Sequence, residues 1–335
     1  MTNLRLDAGK IHMKRFLIIN TSYFGDVLLT GALCQNIKIE YPDSHVTFMV
    51  NKPFYEAAKY LAGVDEVLCY DKGGKHKGIF GIWKFLKEYG KLYKDKFDVS
   101  LIMYGNERGI LISKALGAKM IISANRGLFH YLFATQLPAE VGAGSVQQEN
   151  AKLLESLIKK EVLDLPVRYS PPPEAWSYIQ KLLEQYNITL RDELVGLCTT
   201  SKKIEKDLPV ATAIEVIKEL NQQGKKVVFL GAGSRAEEYV QELYRQGCHS
   251  FLDFTNKTSI AQLGAVIQKC TAVISVDTGT LHLTCALGVP LIALFYIHDR
   301  HHLEKWAPAE YYRHILLTGN ITALDIKNSL QQVLS

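Results

Sequence analysis

The sequence predicts an α/β protein built from two doubly wound parallel-sheet domains. Three features carry that prediction. Short β-rich apolar runs recur with helical patterns between them, a proline cluster splits the runs into two series, and several runs open directly into glycine- and hydroxyl-bearing loops that begin a helix. Doubly wound domains hold ligands at the carboxyl ends of their strands. Two such ends facing each other make a cleft, so functional residues are expected just after strands.

The first series of strands is expected at residues 16–20, 45–50, 66–70, 99–104 and 119–123. Pro166, Pro171, Pro172 and Pro173 follow, disfavour helix and central strand alike, and read as a linker. The second series is expected at 194–198, 226–230, 250–253, 272–276 and 291–295. The resulting division is an amino-terminal extension (1–12), a first Rossmann-like domain (13–165), a linker (166–175), a second Rossmann-like domain (176–320) and a carboxyl-terminal helix (321–335). No short-period repeat or low-complexity segment interrupts it.

Composition narrows the function classes. A net charge of +5 over 335 residues is too small for a nucleic-acid binder without a patterned patch, although it favours an anionic substrate or an acidic membrane surface. The six cysteines lie far apart, none in a C-x-x-C pair, and most fall in apolar stretches, which predicts buried thiols in a reducing compartment. The first dozen residues lack the apolar core of a secretory signal. The longest apolar run, 286–297, is broken by Gly288 and Pro290 and falls short of the roughly 20 residues that span a bilayer. A soluble cytoplasmic protein is expected, with peripheral membrane contact allowed.

Four loops after strands carry the chemistry. Asp277-Thr278-Gly279-Thr280-Leu281-His282 starts a helix, where free N–H groups, the positive end of the helix dipole and two hydroxyls suit a diphosphate; the structural alternative is that Asp277 or Thr278 caps a buried helix. Asp26, in Thr21-Ser22-Tyr23-Phe24-Gly25-Asp26, stands at another helix start, as an N-cap or as a general base in the cleft. The run from Thr199 and Thr200 through Lys206 to Pro209 offers hydroxyls and lysines to phosphate oxygens, or is a solvated loop. Gly231-Ala232-Gly233-Ser234-Arg235-Ala236 matches the dinucleotide fingerprint G-x-G-x-x-A with Asp253 downstream, but lies inside the second domain rather than opening it.

Together these loops resemble the lipopolysaccharide heptosyltransferases, glycosyltransferase family 9. Ser22-Tyr23-Phe24-Gly25-Asp26-Val27 matches the family's S-x-x-G-D-V, and Asp277 to Leu283 followed by Ala286-Leu287-Gly288-Val289-Pro290 matches D-T/S-G-x-x-H-x-x-A-A-x-G-x-P. The resemblance implies GT-B architecture, an acceptor-binding first domain and a sugar-nucleotide-binding second domain. It implies Asp26 as catalytic base, with Thr199, Thr200 and Lys206 on the donor's phosphates. Glu237, with Glu238 adjacent, falls where the ribose is held, and Lys257-Thr258-Ser259 where the base is held. Asp277, Thr278, Gly279 and His282 take the diphosphate and donor sugar. Three departures lie on the donor side: Leu208 replaces a tryptophan, the Thr199–Lys206 loop is slightly longer, and Phe295-Tyr296-Ile297 stands where F-G-x-T is frequent.

The sequence contains no D-x-D, the usual metal-holding pattern of metal-dependent glycosyltransferases. The expectation is therefore inverting transfer with neither metal nor cofactor, the leaving diphosphate being met by Lys206, by the hydroxyls of Thr199, Thr200 and Thr278, and by N–H groups at Gly279 and Thr280. ADP-heptose is the expected donor and the lipid A–core oligosaccharide the acceptor.

From Ile79 to Lys94 the apolar residues Ile79, Phe80, Trp83, Leu86, Tyr89 and Tyr93 follow helical spacing, while Lys84, Lys87, Lys91 and Lys94 share another face. This basic helix is either a solvated surface or the part that approaches the acceptor's phosphates or the anionic cytoplasmic face of the inner membrane. His298-Asp299-Arg300-His301-His302 has metal-ligand residue types but is expected to line the donor cleft. The rival readings are an NAD(P)-dependent oxidoreductase using Gly231 to Ala236, a family member with another sugar donor, and a catalytically silent sugar-nucleotide binder.

Overall fold

The computed structural model describes residues 15–78, 80–104, 107–124, 127–135, 144–189 and 191–334; the extension 1–12 and Ile79 lie outside them. The first unit runs β1 (Arg15–Asn20), α1 (Phe24–Leu29), α2 (Gly31–Glu40), β2 (His45–Asn51), α3 (Tyr55–Lys59) and β3 (Glu66–Tyr70). It continues with α4 (Phe80–Phe85), α5 (Lys91–Tyr93), β4 (Val99–Ile102), α6 (Glu107–Ala115), β5 (Met120–Ser123), α7 (Leu128–Phe133) and α8 (Val146–Ile158). The second unit opens with α9 (Pro173–Gln185), β6 (Leu194–Cys198), α10 (Val210–Gln222), β7 (Lys226–Phe229), α11 (Ser234–Arg245) and β8 (Leu252–Asp253). It closes with α12 (Ile260–Lys269), β9 (Cys270–Val276), α13 (Gly279–Ala286), β10 (Leu291–Phe295), α14 (Arg300–Trp306), β11 (His314–Thr318) and α15 (Ala323–Leu334).

Among the described residues the strands form two parallel sheets, ordered β3-β2-β1-β4-β5 and β11-β10-β9-β6-β7-β8. Both sheets wind the same way, three strands in one direction and the rest in the other, so the winding reverses between β1 and β4 and between β6 and β9. A crevice opens beyond the strand ends at such a reversal. The loops after β1, β6 and β9, singled out in the sequence, all stand at these two points.

Strands covered by helices on both faces bury nearly every side chain, which is why β6, β10 and Phe16 to Ile19 of β1 appear as unbroken apolar runs. Most expected strand limits hold to within two residues. The exception is β11, absent from the sequence expectation: it pairs with β10 at the sheet edge and its half-buried residues give a weaker apolar signal.

The proline segment is not a solvated connection. Val167 and Tyr169 are buried, Tyr169 N–H donates to Ala286 O at 3.0 Å, the Tyr169 hydroxyl donates to Glu56 O at 3.1 Å, and Tyr169 bridges to Leu61. The next helix starts at Pro173 rather than after 175, as suits a proline, which fits the first turn. One apolar cluster runs from Phe16 and Val46 through Val167 and Tyr169 to Leu281 and Leu291, so the two units share a core.

The basic segment corrects the sequence reading. The helix is not continuous: α4 passes through a π-helical turn, Leu86–Gly90, into α5. A π turn takes up more residues than an α turn and shifts the phase of the faces. The buried residues are Phe85 and Tyr93, while Phe80 and Trp83, expected on the apolar face, are 74% and 62% exposed. Lys84, Lys87, Lys91 and Lys94 are all exposed, as expected. No helix of the described residues is long and apolar enough to cross a membrane.

Candidate functional site

The site forms where the amino-terminal ends of α1 and α13 meet. Phe24 lies directly on Gly279, where an added Cβ would sit 2.2 Å from Phe24 Cδ1; at Gly25 an added Cβ would sit 2.8 Å from His282 Cδ2. These two motif glycines are thus explained by close approach of one unit to the other.

At α13 the ambiguity between cap and anion site resolves. Thr278 is the N-cap residue, but its side chain makes no capping hydrogen bond. The Asp277 carboxylate is turned away from the helix, pairing with Lys206 Nζ and accepting from His302 Nε2 at 2.8 Å. No side chain therefore caps α13; Thr278 and Thr280, at its start, line the cleft, and Lys206 reaches the adjacent Asp277. His282, in the first turn, is buried, and burial brings its pKa down to about 4, with Asp277 raising it and Lys206 lowering it. At neutral pH it is an uncharged imidazole able to donate one hydrogen bond.

Across the cleft, Asp26 is the third residue of α1 rather than its N-cap. Its Oδ2 accepts the Tyr23 N–H at 3.1 Å, so it does serve the helix start. It is 5% exposed. Burial raises its pKa, while Tyr104, the Tyr23 N–H, Lys202 and Lys305 each pull it back down. Tyr104 follows β4 in the left-handed region at φ 44°, and its buried hydroxyl, without a hydrogen-bond partner among the described residues, is near enough to Asp26 to lower the carboxyl's pKa. Lys202 reaches over from the second unit to cover the Tyr23 ring.

The loop after β6 is clamped at its ends, while Lys202 to Glu205 in its middle are exposed. Thr199 O accepts the Leu208 N–H at 2.9 Å, Ser201 N–H donates to Asp207 Oδ1 at 2.8 Å, and Arg235 pairs with Asp207 while donating from Nε to Ser201 O at 3.1 Å. Leu208, standing where the family has tryptophan, is buried with Leu197 and Tyr239. Thr199 is fully buried in this closure, whereas Thr200 lines the cleft.

A cleft of about 490 Å³ opens beside these parts; Asp26, Lys206, Asp277, Gly279 and His282 are not among its lining residues, and His282 instead lines a separate cavity of about 250 Å³ with Leu28, Lys305 and Trp306. Phe24 and Phe54 come from the first unit; Thr200, Gly231, Gly233, Thr258, Thr278 and Thr280 come from the second. The glycine loop that resembled a dinucleotide fingerprint is part of this wall. Lys257 donates to Tyr186 OH at 3.1 Å and points elsewhere, whereas Thr258 and Ser259, the latter also capping α12, line the cleft. Glu237 is not among the lining residues: it accepts from Asn256 Nδ2 at 2.6 Å on the exposed face of α11. Lys84, Lys87, Lys91 and Lys94 do not line the cleft either. Among the described residues no group of three or more His, Cys, Asp or Glu is arranged to hold a metal ion.

Sequence reasoning did not single out Tyr104, Phe54 or Lys202, and placed His302 only in the general neighbourhood. Their signal was positional: Tyr104 follows a strand that borders the first winding reversal, and Lys202 lies in the loop after β6.

Two facing parallel-sheet units with a nucleotide-sized cleft at their winding reversals constitute the GT-B architecture of glycosyltransferases. The chain belongs to glycosyltransferase family 9 (heptosyltransferase), whose model matches residues 85–330. It is 25% identical over 297 residues, 85% of this chain and 80% of the relative, to the lipopolysaccharide core heptosyltransferase OpsX of Haemophilus influenzae. A family 9 glycosyl transferase from Veillonella parvula superposes with a TM-score of 0.86 at 21% identity, covering 96% of this chain and 97% of the other. The Escherichia coli heptosyltransferase WaaC, solved with ADP, superposes with a TM-score of 0.75 at 19% identity, covering 95% and 99%. The glycine loop Gly231 to Ala236 accordingly serves a glycosyltransferase, not an oxidoreductase.

Proposed function

We propose that this protein is an inverting, metal-independent heptosyltransferase that moves a heptose from ADP-heptose to the inner core of lipopolysaccharide. The observation that carries the reading is the uncapped start of α13, with Lys206 and Asp277 beside it and Asp26 across the cleft. The heptosyltransferase relatives support the sugar and the acceptor, and the ADP bound to WaaC supports the donor base.

In this mechanism Asp26 takes the proton of the acceptor hydroxyl as its oxygen attacks the anomeric carbon. The bond from that carbon to the diphosphate oxygen breaks on the opposite face, and its electron pair leaves with the nucleoside diphosphate. Attack opposite the leaving group inverts the anomeric centre. Lys206, the N–H groups of Gly279 and Thr280, the threonine hydroxyls and neutral His282 meet the charge that develops, a task metal ions perform elsewhere. Raised by burial, Asp26 is a stronger base than an exposed carboxylate.

We place the enzyme at the cytoplasmic face of the inner membrane. Lys87 lies over the Trp83 ring, 5.4 Å from its centroid, and with Lys84 and Phe80 forms an exposed basic-aromatic surface suited to an anionic interface. A panel of ADP-, UDP- and GDP-sugars with truncated lipopolysaccharide acceptors, followed by diphosphate release with and without chelator, tests the proposal. Transfer from ADP-heptose that survives chelation supports it; a strict requirement for divalent metal overturns the mechanism.

A further inference from the structure

The mechanism above gives a role to Lys206 but none to His302, which touches both Lys206 and its partner Asp277. His302 is held from two sides. The Asp299 side chain accepts its backbone N–H at 3.0 Å and fixes the start of α14, and its ring packs beside Phe295 at the end of β10, centroids 6.0 Å apart. So placed, His302 Nε2 donates to Asp277 Oδ2 at 2.8 Å and lies 3.3 Å from Lys206 Nζ. One carboxylate oxygen therefore receives two nitrogen donors, in a cluster whose Lys206, Asp277 and His302 side chains are only 15%, 9% and 18% exposed.

Charge counting shows why two donors matter. Asp277 and Lys206 cancel each other, and a self-satisfied pair has little to offer a diphosphate bearing two negative charges. A second donor on the same oxygen lets the lysine leave without stranding a buried carboxylate.

We propose that His302 is a positioning residue of the donor site: it holds the Asp277 carboxylate when a nucleoside diphosphate binds, releasing Lys206 onto the phosphates. The inference rests on the donor-site reading given above. The charged groups that face the imidazole are Asp277 from the loop before α13, Lys206 from the turn before α10, and Asp299 at the head of its own helix.

Calorimetric titration of ADP into wild type, H302Q, H302A and K206A tests this. Glutamine keeps a neutral donor on the carboxylate, so H302Q is expected to bind ADP nearly as well as wild type, whereas H302A, lacking any donor, is expected to bind about tenfold more weakly. Unchanged melting temperatures show that the fold is intact. H302A that binds ADP as wild type does, or H302Q weakened as much as H302A, overturns the proposal while leaving the donor site standing, provided K206A has lost ADP. If ADP, UDP and GDP all fail to bind wild type, the donor-site reading falls and this inference falls with it.

Discussion

Asp26 satisfies a helix start through Oδ2 and at the same time is buried on α1, which packs against α13, and these two facts set its pH behaviour. Because burial raises its pKa, the acid limb of kcat/KM is expected above the ordinary carboxylate range. The Tyr104 hydroxyl lowers that pKa, so Y104F, which keeps the ring, should move the limb to still higher pH; an unmoved limb contradicts the contact. D26N should lower the transfer rate by about 10²- to 10⁴-fold. Its stability has the opposite sign. A carboxyl whose folded pKa lies above its unfolded one contributes stability below the unfolded pKa, and that contribution is lost as pH rises through the folded value. At pH 7.5 the buried charge is a cost, so D26N should melt at the same temperature as wild type or higher. Asp26, Lys206 and Asp277 were legible in the sequence because each sits in a local pattern after a strand. Tyr104 and His302 were not, because β4 and α14 bring them in from distant parts of the chain.

At the scale of elements, the crossing of α1 and α13 is the most exacting contact. A Cβ at Gly279 would meet three atoms of Phe24 within 3 Å, whereas one at Gly25 meets a single His282 ring atom that closely. G279A is therefore expected to destabilise by about 1–3 kcal/mol, and G25A by less, in denaturant unfolding. Equal losses would mean that Phe24 swings aside freely. The strands were legible as apolar runs because both sheet faces are covered. The π turn at Leu86–Gly90 was not, since a uniform helical period carries no mark of a local change in pitch. Reversing Lys84, Lys87, Lys91 and Lys94 to glutamate should abolish salt-sensitive binding to anionic vesicles while leaving ADP affinity unchanged; binding indifferent to both salt and reversal removes the membrane role from this segment.

Over the whole molecule, the proline segment that looked like a spacer is part of the core, and the shared apolar cluster holds the two strand-end faces against each other. The order of strands, with both reversals on the cleft, follows from two series of βα units, each starting at a sheet centre, and was implicit in the two series of apolar runs. Which loops would meet was set by packing between the units, and the sequence showed it only through paired glycine motifs. The central claim is that Asp26 and the uncapped start of α13 perform transfer together without metal. Its most direct test is heptose transfer from ADP-heptose to a truncated lipopolysaccharide acceptor, in chelator, by wild type and D26N. The account predicts full turnover for wild type, with inverted anomeric configuration in the product, and turnover lower by about 10²-fold or more for D26N. Equal turnover by the two proteins, or none by wild type until metal is restored, would contradict it.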